Sequence, residues 1–370
     1  MKTSKNQRFL GSRKSGRFSR QLKAGLYNIL NMPLGRKALK SLSKSVYAKN
    51  IKRNNKSANK NNPKSKQKKF LFSITIDTES GYVKKNNERV WQKSNPKAYI
   101  GYYQGIENWR KLLNKYGAKA TFFLSTNCFS AKDNDLDKIK KQLKSLLNEK
   151  HEIGLHLHPD SDLALQLTLK EKFHYTSSKF YNYSQINQFI KTSKKLIKDN
   201  INFIPTSFRW GNWALNTDAV MALQENGFKV DSSATPGIKG HPNDGMSYDW
   251  SKAGEHYPWK LSSDDYQDTK RQNSKVLEIP IATFSFMGKT FLADPVYSEL
   301  LKSAFDYYYR NADRSKNPFV FVVISHSIES THEDGGVTQV IKDTEEFIKH
   351  AKKFDDVEFV TINEAYKRIK

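Results

Sequence analysis

The residues of this sequence that could do chemistry are histidines and carboxylates standing two apart at the ends of apolar runs. In His151-Glu152-Ile153-Gly154-Leu155-His156-Leu157-His158-Pro159-Asp160, the alternation of Ile153, Leu155 and Leu157 predicts a short strand. A strand sends residues i and i+2 to one face, so His156 and His158 project together. Two imidazoles placed that way could ligate a divalent metal; a solvated polar strand end is the plainer alternative. Asp77 and Glu79 stand in the same relation after the run from Phe70 to Ile76. One carboxylate could hold a cation while the other takes a proton from water, although such pairs otherwise serve as turns or helix caps. His326 follows Phe319-Val320-Phe321-Val322-Val323-Ile324-Ser325, where it could act as a general acid or be a satisfied buried histidine. Arg209 ends Thr206-Ser207-Phe208-Arg209 and could fix a carboxylate through a bidentate pair or form a surface ion pair. Asp231 also ends a strand, where it could orient a neighbour or cap a turn. Trp210, Trp213, Tyr248, Trp250, Tyr257 and Trp259 could give a sugar ring an apolar platform, some of them belonging to the core.

The elements that must position these groups alternate regularly. Strands are predicted at Phe70–Asp77, 119–124, the decapeptide, 206–209, 228–231, 276–284, 319–325 and 357–360. Between them, helices are predicted near 105–116, 136–148, 184–198, 216–227, 296–310 and 339–352, with a short one from Asn363. Some seven β/α repeats argue for parallel strands with crossover helices. A barrel and an open doubly wound sheet both fit that rhythm, and both put chemistry at the carboxyl ends of strands. Residues 232–275 break the rhythm, being rich in Gly, Pro, His, Tyr and Trp, and read as a functional loop or lid.

Charge divides the 370 residues in two. Residues 1–69 hold 21 Lys and Arg and no acid, whereas the remainder carries 42 basic and 37 acidic side chains. Most of the net +26 therefore sits in the leader, which carries +21, and 70–370 form a single domain of α/β-barrel size. The leader shows apolar residues at helical spacing (Leu22, Leu26, Ile29, Leu30) and could lie on an anionic membrane as a basic amphipathic helix. Nucleic acid would attract the same charge, an organellar transit peptide has a similar composition, and a disordered tail needs none of these partners. The lone Cys128 excludes an intrachain disulfide and suits a reducing compartment. No apolar run approaches a membrane span and no apolar signal-peptide core is apparent, so the expected location is cytoplasmic.

Order adds what no single piece supplies. Asp77, then Ala120-Thr121-Phe122-Phe123, His-Glu-Ile-Gly-x-His, Phe208-Arg209, Asp231-Ser232 and a strand ending at His326 together resemble the polysaccharide deacetylase (NodB-homology) family from about Phe70 to Tyr366. Val276-Leu277-Glu278-Ile279-Pro280 and Ser325-His326-Ser327 look closest to the branch associated with lipopolysaccharide and cell-surface glycan biosynthesis. The resemblance implies a distorted (β/α)7 barrel, TIM-barrel-like, with a divalent metal, often zinc, at its mouth. It implies Asp77 as base, His326 as the acid for the leaving group, Arg209 orienting the base and Asp231 supporting the histidine. Two departures stand out. Thr78 occupies the position next to Asp77 where the family usually has a ligand aspartate, which moves that role to Glu79. Asp160 occupies the position four beyond His156 where a second histidine is usual, so the third ligand is His158, with Asp160 as the alternative. The function expected is a metal-dependent hydrolase removing an N- or O-acetyl group from a sugar of a surface glycan or its lipid-linked precursor, held at the inner membrane face by residues 1–69. A barrel that binds glycans without turnover is the first rival, and nucleic-acid binding through the leader a less favoured second.

Overall fold

The computed structural model describes residues 68–370, apart from residues 81, 86–87, 92–98, 241–244, 246, 255, 316 and 333. The helices expected in the basic leader lie outside the described residues. Thirteen strands and eight α-helices are described: β1 Phe70–Thr78, β2 Tyr82–Lys85, β3 Glu88–Trp91, α1 Ile106–Lys115, β4 Ala120–Ser125, α2 Asp133–Asn148, β5 Glu152–Leu157, α3 Leu163–Leu169, α4 Tyr183–Ile201, β6 Ser207–Trp210, α5 Thr217–Glu225, β7 Val230–Asp231, β8 Trp259–Lys260, β9 Leu277–Glu278, β10 Thr283–Phe286, β11 Lys289–Leu292, α6 Glu299–Asn311, β12 Phe319–His326, α7 Gln339–Ala351, β13 Val357–Phe359 and α8 Ile362–Ile369.

The main sheet runs β12-β1-β4-β5-β6-β7-β9-β8. Its first seven members pair in parallel. The ring closes through irregular backbone bonds: the Ala282 N–H donates to Val322 O (3.0 Å) and the Ile324 N–H to Ala293 O (2.9 Å). Seven parallel strands curled on themselves, with helices outside, make the distorted (β/α)7 barrel expected from the sequence.

Side-chain parity explains why the barrel forms and what its interior holds. Phe70, Phe72, Ile74 and Ile76 of β1 pack under the helices, as do Phe319, Phe321 and Val323 of β12. The alternate positions Leu71, Val320, Val322 and Ile324 fill the barrel itself, joined from below by Ile362 and Ala365 of α8. Period-2 alternation thus loads both faces of each strand. The plug at the bottom is tied by Glu152, which accepts from Thr121 Oγ1 (2.9 Å), Asn363 N (2.8 Å), Asn363 Nδ2 (2.6 Å) and Ser207 Oγ.

Three local expectations change. The single strand predicted over 276–284 divides at Pro280, which has no N–H for a ladder. The chain leaves β9 there and re-enters as β10, paired antiparallel with β11. Helix α3 and the hairpins β2–β3 and β10–β11 were not expected. The described part of 232–275 is packed cover rather than a free lid, for Trp250 and Trp259 are buried in the core. No described helix is long and apolar enough to cross a membrane.

Candidate active site

The interior parity that fills the barrel with Leu71, Val322 and Ile324 delivers polar groups once the strands reach its mouth. Asp77 pairs in register with His326 across β1–β12, and His156 with Arg209 across β5–β6. Continuing the two-residue step, Glu79 and His158 follow Asp77 and His156 onto the same side. The result is one cluster. Glu79 Oε2 lies 3.0 Å from His158 Nε2 and 3.6 Å from His156 Nε2. Asp77 Oδ2 is 3.8 Å from His156 Nε2, and His326 Nε2 is 3.9 Å from Glu79 Oε1.

Arg209 is fully buried, which rules out a surface ion pair. Its Nη1 donates to Asp77 Oδ1 (2.7 Å) and to Thr75 Oγ1 (2.9 Å), while Nε and Nη2 donate to Ser232 O (2.8 Å) and Ser232 Oγ (3.0 Å). The pair with Asp77 is therefore made through one nitrogen, not the bidentate fork considered from sequence. Its guanidinium also stacks on Phe123, 4.3 Å from the ring centre. With every face occupied, Arg209 can only fix Asp77 in place.

Glu79, His156 and His158 are buried, and one donor atom from each falls within 4.8 Å of the others. Glu79 Oε2 has no aligned hydrogen-bond donor. Two imidazole nitrogens with one carboxylate oxygen are a donor set suited to a divalent transition metal. These residues fit the metal implied by the resemblance. Burial works to raise the Glu79 pKa, but the His158 and His156 imidazoles outweigh it and hold the carboxyl well below its usual range. Burial likewise lowers His158, yet Glu79 and Asp160 push it up to about 10. Asp160 stands behind this set: it lies 3.8 Å from His158 Nδ1 and accepts from Thr176 Oγ1 (2.7 Å). It orients the imidazole from the far side, as outer carboxylates do at metal sites.

After β6 the chain turns sharply through Gly211, Asn212 (φ 49°) and Trp213 (φ 57°), a pair of left-handed non-glycine residues of the kind found at functional sites. Gly211 passes so close to His158 that a Cβ there would stand 2.5 Å from Cδ2, Cε1 and Nε2. Gly211→Ala should therefore displace the imidazole and weaken divalent-cation binding by about 10- to 100-fold, the range for losing support behind a ligand. Competition titration against a fluorescent chelator measures this.

Asp231 does not reach His326. Its carboxylate accepts from Ser233 N (3.1 Å) and Ser233 Oγ (2.8 Å) and shares a hydrogen bond with Glu278. Burial and the Asp231 charge push Glu278 well above its usual range, and burial also raises Asp231. The role expected of Asp231 is corrected on geometry. Instead, Glu329 Oε2 lies 3.3 Å from His326 Nδ1. Burial would lower His326, but Glu329, Glu79 and Asp77 push it up to about 10.

Of the aromatic platform, Trp210 is wholly buried on the helix side of β6 with Phe208, and its Nε1 donates to Thr176 O (2.8 Å). Trp259 is buried too. Tyr257 packs edge-on against Phe319, at the opposite end of β12 from His326, and lines a separate cavity of about 580 Å³. These three are corrected: a sugar could not rest on them at this mouth. Trp213 is half-buried just beyond Gly211, edge-on to Tyr248, with an indole N–H that has no partner. Glu329 was missed from sequence, and its only sequence signal is a carboxylate three residues beyond a strand-ending histidine.

Residues 100–230 match the family model described as polysaccharide deacetylase. Over that stretch the chain is similar to the family. The barrel is also similar to solved structures. A candidate polysaccharide deacetylase from Mycobacterium smegmatis superposes with TM-score 0.54 at 15% identity, over 83% of this chain and 92% of that one. Another from Pseudomonas aeruginosa gives 0.53 at 13%, over 81% and 90%. Puue allantoinase gives 0.53 at 13%, over 84% and 94%. At such identities the likeness establishes the fold. A search of curated proteins found no match. The polysaccharide deacetylase family consists of hydrolases that cut acetyl amides or esters.

Proposed function

We propose that this barrel is a metal-dependent deacetylase acting on an N- or O-acetylated sugar. The observation that carries the reading is the meeting of an arginine-held aspartate, a buried Glu/His/His donor set and a histidine at one barrel mouth. An allantoinase shares the fold, so the barrel by itself does not choose the substrate; the family match favours acetylated glycan.

Glu79, His156 and His158 would hold the cation, and zinc suits two imidazoles and a carboxylate. Such an ion, when bound, supplies polarisation of a carbonyl and acidification of water. The remaining steps belong to the chain. Asp77, fixed through Oδ1 by Arg209, offers Oδ2 to take a proton from the attacking water as the new carbon–oxygen bond forms. His326 gives the proton on Nε2 to the leaving nitrogen or oxygen as its bond to the acetyl carbon breaks. Acetate and the free amine or hydroxyl result, and the Asp77 proton returns His326 to its starting state through solvent. Trp213 would meet the acetyl group or sugar at the rim.

The substrate we favour is a cell-surface polysaccharide or its lipid-linked precursor, reached at the cytoplasmic membrane face through the basic leader. Acetate release from N-acetylglucosamine oligomers and O-acetylated xylan tests the activity. Release that stops with chelator and resumes with zinc is expected; release indifferent to chelator would overturn the metal-dependent reading.

A further inference from the structure

The proposed reaction leaves one question that the family resemblance answers wrongly for this chain: what holds His326. The inference that follows rests on the deacetylase reading. A histidine that donates from Nε2 has its ring direction and charge set by whatever faces Nδ1. Asp231, the residue the resemblance implies, is turned to Ser233 and Glu278. Among the described residues, Glu329 supplies the one carboxylate within 4 Å of His326 Nδ1.

We propose that Glu329 is the positioning residue of His326. The same Glu329 Oε2 that faces Nδ1 also accepts from the His326 backbone N–H (3.0 Å) and from Ser325 Oγ (3.0 Å). One carboxylate oxygen therefore holds both the backbone and the ring of the residue that must deliver the proton. Its own place is fixed by the 3-10 turn Ser327–Ser330 directly after β12 and by Thr338, whose hydroxyl donates to the Glu329 carbonyl. Asp294 comes from the segment that closes the barrel: Ala293 accepts from the Ile324 N–H, and Asp294 Oδ1 accepts from Val296 N (2.9 Å). Burial and the Glu329 charge raise Asp294 to about 8. Apart from its charge contact with Glu329, His326 Nδ1 has no aligned partner. Such contacts are commonly loose before substrate binds and tighten in the complex.

An amide leaving group must be protonated to depart, whereas 4-nitrophenolate leaves without a proton. Loss of Glu329 should therefore discriminate between leaving groups, which general damage to the fold would not. The test compares kcat/KM on an N-acetylglucosamine oligomer and on 4-nitrophenyl acetate for the wild type, Glu329→Gln, Glu329→Asp and Asp231→Asn. For Glu329→Gln we expect about a 100-fold loss on the amide, the lower range for general-acid assistance, and less than about a 3-fold loss on the aryl ester. Glu329→Asp keeps the charge at the turn, so it serves if the glutamine variant does not fold, and should show the same selectivity to a smaller degree. Asp231→Asn should keep the wild-type ratio between the two substrates. Equal losses on both substrates in the folded Glu329 variants, or a selective loss in Asp231→Asn, would overturn the proposal. A wild type that releases acetate from neither substrate would instead overturn the deacetylase reading on which it rests.

Discussion

Asp77→Asn should lower kcat on an acetylated sugar by about 1,000-fold, within the range for removing a general base, while the protein still binds its divalent cation. The two halves of that expectation come from one geometry. Asp77 Oδ1 is bound to Arg209 at 2.7 Å, and Oδ2 faces the mouth at 3.8 Å from His156 Nε2. Glu79 Oε2, by contrast, stands within 3.6 Å of both imidazoles. The proposed base is thus the carboxylate nearer the arginine, and the proposed ligand the one between the histidines. The substitution also leaves the buried guanidinium without its counter-charge, and breaking a buried pair costs about 3–5 kcal/mol. Its remaining bonds to Thr75 and Ser232 should keep Arg209 in place, so a lower melting temperature with an intact fold is expected. Steady-state kinetics and cation titration of the same preparation check this. Loss of cation binding in Asp77→Asn would exchange the roles of the two carboxylates.

The second large effect concerns the cation. The wild type should take up one divalent ion per chain, and His156→Ala should weaken that uptake by at least about 100-fold, because removing a ligand costs more than the 10- to 100-fold lost with outer support. His156 is tied from behind: its Nδ1 lies 3.1 Å from Arg209 O, which leaves Nε2 facing Glu79. His326 Nε2 faces the other oxygen of Glu79 at 3.9 Å and lies outside the Glu79, His156 and His158 donor set. Cation uptake should also release protons. Without metal, Glu79 and Asp160 hold His158 protonated up to about pH 10, and a ligand imidazole must be neutral. Occupancy should therefore fall as the pH is lowered, whatever ion is used.

Much of this arrangement was legible because strand parity is a strict rule. Once Phe70, Phe72, Ile74 and Ile76 are assigned to the helix side, Asp77 and Glu79 must follow Leu71 inward, and the same reasoning places His156, His158, Arg209 and His326. The rule should have removed Trp210 as well, since it shares the face of Phe208. Pro280 marked the break in the seventh strand, but nothing local showed that Ala282 and Ala293 would close the ring on β12. The Asp231–Glu278 pair joins two strands about 47 residues apart across a sheet contact, a pairing that only the folded register brings about. Glu329 depends on the 3-10 turn after β12 folding back onto the histidine before it. Strand alternation carries no information about such a turn.

Cation content decides the central claim most directly. Purified wild type and His156→Ala, dialysed against a zinc buffer and compared by mass spectrometry of the native proteins, should differ by one ion per chain, present in the wild type and absent from the variant. Equal zinc in both, or none in a folded wild type, would contradict a cation held by Glu79, His156 and His158.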